Sequence, residues 1–180
     1  MGMTIIYIPT TEEMKAEAQR KADELAGLNN SIRAGAGNFA GFLGELAVNE
    51  LLEGELANTY DYDIRVRDVT IDVKTKECKS IPYPDYEASV ADYNTTQACD
   101  WYAFARTPHE FDVVWFCGMM KKNEYYEGSR FMKQGWIDPS NGMRIRADCW
   151  NMRYTEMPIP RAIVGKARER GYKLWIEDEA

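Results

Sequence analysis

The run from Tyr60 to Lys76, YDYDIRVRDVTIDVKTK, constrains this chain most. It sets acids and a lysine at alternate positions along what reads as two short strands joined by a tight turn. Successive side chains of a strand point to opposite faces. Asp61, Asp63 and Arg65 are therefore expected on one face, and Tyr62, Ile64 and Val66 on the other. On the second strand Ile71 and Val73 point one way, Asp72 and Lys74 the other. With Arg67-Asp68 as the turn, Asp63 faces Asp72 and Asp61 faces Lys74. Directly opposed side chains stand roughly 4.5–5.5 Å apart at Cβ. Two carboxylates that close repel each other unless a cation sits between them, and a divalent metal is the simplest one.

Composition narrows the chemistry. A chain of 180 residues, 45% hydrophobic and 12% aromatic, is expected to form one packed domain over residues 1–180. No apolar run approaches the roughly 18 residues of a membrane span, and no basic-then-apolar leader opens the chain. Cys78, Cys99, Cys117 and Cys149 are widely spaced, which suits free thiols in the cytoplasm rather than a zinc knuckle. The single histidine, His109, sits in a loop-like Thr-Pro-His-Glu stretch and reads as an ordinary surface residue. One histidine rules out a two-histidine zinc site and leaves little room for a Ser-His-Asp triad. The net charge of −7 runs against phosphate binding, but the charge is uneven. Residues 1–60 hold four Lys/Arg against nine Asp/Glu, whereas 121–146 hold six against three.

The element pattern is mixed. Met3–Ile8 reads as a short strand or arm, and Thr10 with Glu13 as a capping box opening a helix to about Leu28. Asn29-Asn30-Ser31 breaks that helix, and a second is expected from Gly37 to Leu52. After the hairpin come strands near 86–90, 100–105 and 113–119, a helical turn at 121–127, and β structure within 143–154. A basic helix starting at Pro158 or Pro160 and stopping before Gly171 closes the pattern. This is one α/β domain with a mixed central sheet flanked by helices. Gly35-Ala36-Gly37 lacks the Gly-Lys-Ser/Thr of a phosphate loop and reads as the start of a helix.

Asp72-Val73-Lys74 puts an acid and an amine on one strand face, which suits phosphodiester hydrolysis. Carboxylates hold Mg²⁺, the metal acidifies a bound water, and a lysine orients that water and offsets developing charge. Asp-x-Lys alone is a weak signal, and the opposed Asp63 strengthens it. Gly41 and Gly44 share a helix face and would let that helix approach the sheet, carrying Glu45 to its acidic edge. A solvated Glu45 on an amphipathic helix fits the spacing equally well.

Gly44-Glu45, Asp63-Ile64 and Ile71-Asp72-Val73-Lys74-Thr75 together resemble the PD-(D/E)XK nuclease superfamily of restriction-endonuclease-like proteins, over about residues 36–120. The stretch from Asp100 to Lys122 is similar to restriction-enzyme-like proteins common in phages. The resemblance implies a core of helix, three-stranded meander, helix and strand, with an N-terminal helix and a C-terminal β/helical extension added here. It implies Glu45, Asp63 and Asp72 as metal ligands and Lys74 as the catalytic lysine, with Mg²⁺ as cofactor and Mn²⁺ as a substitute. Asp63 is not preceded by the proline of the family motif, and Asp61 is its rival for the first acid. Some relatives carry a glutamine beyond the lysine, and Gln97 corresponds to it, with a role in holding backbone as the other reading. The implied activity is a deoxyribonuclease acting on DNA, with a homodimer left open. The alternatives are a non-catalytic DNA-binding protein keeping the fold, or a domain whose acids are surface ion pairs. Tyr83 and Tyr86 are expected to touch substrate, Lys76 and Lys79 to meet phosphates or stay solvated, and Trp101, Tyr102 and Trp115 to be core.

Overall fold

The computed structural model describes residues 2–28, 36–57 and 59–177. The expected break at Asn29-Asn30-Ser31 and the Gly35 of the glycine-rich stretch lie outside the described residues. The chain runs β1 (Thr4–Pro9), α1 (Glu12–Leu28), α2 (Ala36–Leu52), β2 (Glu55–Leu56), β3 (Ile64–Val66) and β4 (Val69–Glu77). It continues with β5 (Glu87–Ala91), a 3-10 turn (Asp92–Thr96), β6 (Trp101–Thr107), β7 (Val113–Lys121) and α3 (Lys122–Gly128). The remaining elements are β8 (Arg130–Met132), β9 (Cys149–Arg153), α4 (Arg161–Glu169) and β10 (Lys173–Ile176).

A mixed α/β architecture results, with a seven-stranded sheet in the order β10-β1-β7-β6-β4-β3-β2. The β4–β6 pair is parallel and the other pairs are antiparallel. β2, β3 and β4 form an antiparallel meander directly after α2. A parallel pair cannot be closed by a tight turn and needs a long crossover. Here β5 and the 3-10 turn make that crossover, where the family resemblance implies a helix. β5 also joins β9 and β8 in a second, three-stranded sheet that the sequence reading did not anticipate as a separate layer.

Strand alternation divides the core between the two faces. Ile71 and Val73 of β4 join Ile6, Leu43, Ala47, Leu51 and Phe116 under the helices. Tyr102, Phe104 and Trp115 point the other way, into a cluster with Tyr125, Met152 and Tyr154 beneath the second sheet. Trp101, expected as core alongside Tyr102 and Trp115, is only partly buried, on the helix side. The close packing of α2 has one steric cause: a Cβ on Gly44 would stand 1.8 Å from Thr75 Oγ1 of β4. Gly41, read as its partner in that approach, faces open space instead.

Two local readings need correction. Thr10 does not cap α1; its hydroxyl donates to the Phe111 carbonyl at 2.6 Å because β1 runs on beside β7. Thr11 caps instead, its Oγ1 accepting the Met14 N–H at 3.1 Å. The hairpin has the expected register, with Ile64 opposite Ile71 and Val66 opposite Val69 across a turn whose Arg67 has φ +54°. β3, however, starts only at Ile64, so Asp61 and Asp63 precede the strand and its alternation does not govern them. Tyr62 accordingly packs with the second-sheet cluster while Ile64 lies under the helices.

Candidate active site

β3 and β4 part company at Asp63, and the sheet's unmet hydrogen bonds build the site there. The Asp63 N–H still donates to the Ile71 carbonyl at 3.0 Å. One step further, the Val73 N–H has lost its main-chain partner, and Asp63 Oδ2 accepts it at 2.7 Å. A buried N–H without an acceptor is costly, so this bond fixes the carboxylate against β4. Asp61 is directed elsewhere: its Oδ1 accepts the Ala98 N–H at 3.0 Å rather than facing Lys74.

Asp72, Lys74 and Gln97 form a closed triangle. Asp72 and Lys74 share a face of β4, and their carboxylate Oδ2 and ammonium stand 2.6 Å apart. Gln97, just past the 3-10 turn, donates from Nε2 to Asp72 Oδ1 at 2.7 Å. Its Oε1 accepts the Lys74 ammonium at 3.2 Å. Asp72 is 3% exposed and Gln97 4%, so each polar atom needs such a partner. Asp72 Oδ2 nevertheless accepts no well-directed hydrogen bond, despite its ion pair with Lys74. Lys74 also lies over the Tyr102 ring, 5.8 Å from its centroid.

Glu45 reaches the same edge from α2, next to the glycine that seats the helix on β4. Burial pushes the Glu45 carboxyl well above the usual range, the Asp63 and Asp72 charges push it further, and Lys21 on α1 opposes them. Asp63 is raised too, first by burial and then by Asp72, against the Val73 N–H and Lys74. Both side chains are packed about by protein yet still reached by solvent. Burial and like charge thus both disfavour the ionised form of these two acids.

All five residues singled out in the sequence, Glu45, Asp63, Asp72, Lys74 and Gln97, come together at this edge. Tyr83 and Tyr86 do not join them by hydrogen bond or ring contact. Tyr86 lies against the Arg106 guanidinium, with Tyr83 edge-on to it. Lys79 is exposed, and His109 is an exposed residue beside Glu77. Besides Tyr102, Tyr60 and Tyr93 border the site through their main chain, and their side chains are each 64% exposed. The Tyr60 carbonyl accepts from Gln97 Nε2 at 2.9 Å, and its hydroxyl reaches the Tyr93 carbonyl at 3.5 Å. Lys122 clamps the turn by donating to the carbonyls of Thr95, at 2.7 Å, and Gln97. Tyr60 and Lys122 act on or through main-chain carbonyls, which leave no residue-type signature; only the proximity of Tyr60 to Asp61 and Asp63 hinted at the former. Burial first, then the Asp72 charge, pushes the Cys99 thiol up to about 11, which disfavours its thiolate.

Among the described residues, no three His, Cys, Asp or Glu side chains stand in a geometry that already holds a metal. A Mg²⁺ site does not require a closed protein cage; one or two carboxylates with waters suffice. Glu45, Asp63 and Asp72 fit such a site by their chemistry: oxygen donors whose mutual repulsion a cation would relieve, one with a buried oxygen short of a hydrogen bond. Neither a protein-family model nor a curated protein matches this chain. Among the described residues, no helix is long and apolar enough to cross a membrane.

Proposed function

We propose that this protein is a Mg²⁺-dependent nuclease that hydrolyses phosphodiester bonds in DNA. The observation that carries the reading is the Asp72–Lys74–Gln97 triangle set beside the half-buried Glu45 and Asp63 carboxyls. A domain that merely needed stability would gain nothing from three acids at one half-buried edge. The order α2, meander β2–β3–β4 and parallel β6 supports a restriction-endonuclease-like reading, although β5 and the 3-10 turn stand where that core would have a crossover helix.

Glu45, Asp63 and Asp72 would hold the ion, with Mn²⁺ as a substitute. Bound there, the ion would supply Lewis-acid chemistry to a phosphoryl oxygen and acidify a water. The residues divide the remaining work. Gln97 occupies Asp72 Oδ1 and leaves Oδ2 directed at the cationic side of the site. The Val73 N–H occupies Asp63 Oδ2 and fixes that carboxylate's orientation. Lys74, steadied by Gln97 Oε1, has further ammonium protons to orient an attacking water and to offset charge growing on the phosphoryl group.

Purified protein incubated with plasmid, linear duplex, single-stranded and junction DNA tests the reading. Cleavage is expected with Mg²⁺ or Mn²⁺ and none with EDTA. Full activity of Asp72→Ala would overturn it. The closed state of the triangle favours a second reading, a DNA-binding protein that keeps the fold without turnover, since Lys74 already has two partners. Melting in Mg²⁺ separates the two. A ligand-dependent rise in Tm that Asp63→Ala/Asp72→Ala abolishes belongs to the nuclease alone.

A further inference from the structure

A ribbon of chain projects from the second sheet between β8 and β9. Gly135 donates to the Ile145 carbonyl at 2.9 Å, Ile145 to the Trp136 carbonyl at 2.8 Å, and Asp138 to the Met143 carbonyl at 2.8 Å. Ile137 pairs with Arg144 in the same antiparallel register. The tip is fastened by Asp138, whose carboxylate accepts from the Ser140 N–H, the Ser140 hydroxyl and the Asn141 amide. This is a hydrogen-bonded hairpin arm with one β-bridge, which buries Asp138 at its tip but leaves its large apolar side chains mostly exposed. Trp136 is 51% exposed, Ile137 53% and Met143 61%.

Exposed apolar side chains on an ordered ribbon call for an occupant. Charge selects its kind. In a chain of net charge −7, residues 133–147 carry Lys133, Arg144 and Arg146 against one acid, and that acid is the Asp138 already consumed in the tip. Lys133 and Arg146 are exposed, with no ion pair among the described residues. Shape narrows the choice further. Alternation puts Arg144 and Ile137 on one face and Trp136 with Ile145 on the other, so both faces are open. A flat protein surface covers one face of a ribbon, whereas a groove embraces both. The major groove of B-form DNA admits a two-stranded ribbon; the deep, narrow groove of duplex RNA does not.

The root of the arm is tied to the candidate active site. Asp148 accepts the Gln134 N–H with its side chain at 2.7 Å and the Asp92 N–H with its carbonyl at 2.8 Å. Trp150 Nε1 donates to Asp92 Oδ1 at 2.8 Å. Asp92 begins the 3-10 turn that delivers Gln97 to Asp72. The geometry points to an arm that enters the major groove of duplex DNA, with Lys133 and Arg146 on backbone phosphates and Trp136 against base edges. This inference rests on the nuclease reading for its place beside a cutting site, and names duplex DNA as the substrate.

Binding in EDTA separates the two ideas, because no cleavage is asked of the protein. Wild type and variants are titrated, by fluorescence anisotropy, against a 20-base-pair DNA duplex, the matching RNA duplex and the single DNA strand. Duplex DNA should bind at least about tenfold tighter than either competitor, as expected of groove readout. Lys133→Ala/Arg146→Ala should lower the slope of log affinity on log salt by about 1.8, the value for two lost phosphate contacts. Trp136→Ala should weaken binding about tenfold, as loss of one large apolar contact implies, and leave the salt slope unchanged. All three positions are exposed, so folding is not at stake, and circular dichroism checks it. Equal affinity for duplex RNA or single strand, or wild-type binding by both variants, overturns the inference. So does a dimer that Trp136→Ala converts to monomer in sedimentation, which would make a second copy the occupant. Trp136-dependent duplex binding by a protein that cuts nothing in Mg²⁺ would keep the arm and sink the nuclease reading. Cleavage that ignores Trp136 would do the reverse.

Discussion

The two halves of the acid cluster are built in opposite ways. Asp72 is paired on both sides: an ammonium at 2.6 Å, a carboxamide at 2.7 Å, and burial that keeps both partners in place. Glu45 and Asp63, a short distance away, share between them one main-chain N–H and the opposing charges of Lys21 and Lys74. The first half is a network finished but for Asp72 Oδ2, and it rigidifies through the members that are satisfied. The second stores electrostatic strain, which a divalent cation would relieve. The proposed nuclease would use both: a lysine held in register before substrate arrives, and acids free to become metal ligands.

The largest expected effects come from breaking the finished half. Lys74→Met should lower cleavage by about 10²- to 10³-fold, the size of loss seen when one charge-stabilising donor is removed from a transition state. It also leaves Asp72 buried without its cation. Removing one partner of an enclosed pair costs about 3–5 kcal/mol, and the 22% exposure of the Lys74 side chain brings this to about 2–3 kcal/mol in urea unfolding. Asp72→Asn/Lys74→Met should recover much of that stability and none of the activity. Recovered activity in the double variant would show the triangle to be structural only.

The strained half should respond with the opposite sign. Its carboxyls titrate above their unfolded values, Glu45 at about 8, so the folded state binds more protons between the ordinary carboxyl range and that pH. Stability is therefore complete below the unfolded values and lost as pH rises toward 8. In EDTA, Tm should fall by a few degrees between pH 5 and 8.5, given roughly 2–4 °C per kcal/mol for a chain of this size. Asp63→Asn should flatten the dependence, and Mg²⁺ should suppress it at the alkaline end. A Tm that rises over this window in the wild type would mean that the two acids do not share a proton.

How far this could be read from sequence depends on which bonds do the work. The hairpin register was legible because Ile64, Val66, Ile71 and Val73 alternate cleanly about the Arg67-Asp68 turn. The parity of Asp61 and Asp63 was not, since it assumed a strand reaching back to Asp61, whereas β3 begins at Ile64 and the Asp63 side chain takes the Val73 N–H. Lys74 and Gln97 were visible as residue types, but their bridge depends on the turn at Asp92–Thr96, clamped by Lys122. The second sheet stayed hidden for a similar reason. β5 pairs with β9 far along the chain, and β8 is only three residues long. Short strands paired at long range leave little local pattern.

The smallest effects test how α2 delivers Glu45 to that comparison. Gly44 and Gly41 are one helical turn apart and looked equivalent in sequence; the structure makes them opposites. A Cβ at Gly44 collides with Thr75 Oγ1 at 1.8 Å and Thr75 Cβ at 2.7 Å, so Gly44→Ala must push the helix off β4. Overpacking of this kind costs about 1–3 kcal/mol, and it should carry Glu45 away from Asp63. Weaker Mg²⁺-induced stabilisation should therefore accompany the lower Tm. Gly41→Ala meets nothing within 4 Å and only removes the helix penalty of glycine, so it should raise stability by about 0.5–1 kcal/mol with unchanged response to Mg²⁺. Parallel melts of the two variants with and without Mg²⁺ read both quantities. If both variants kept the wild-type shift, the seating of α2 on β4 would have no bearing on the acids, and Glu45 would drop out of the site.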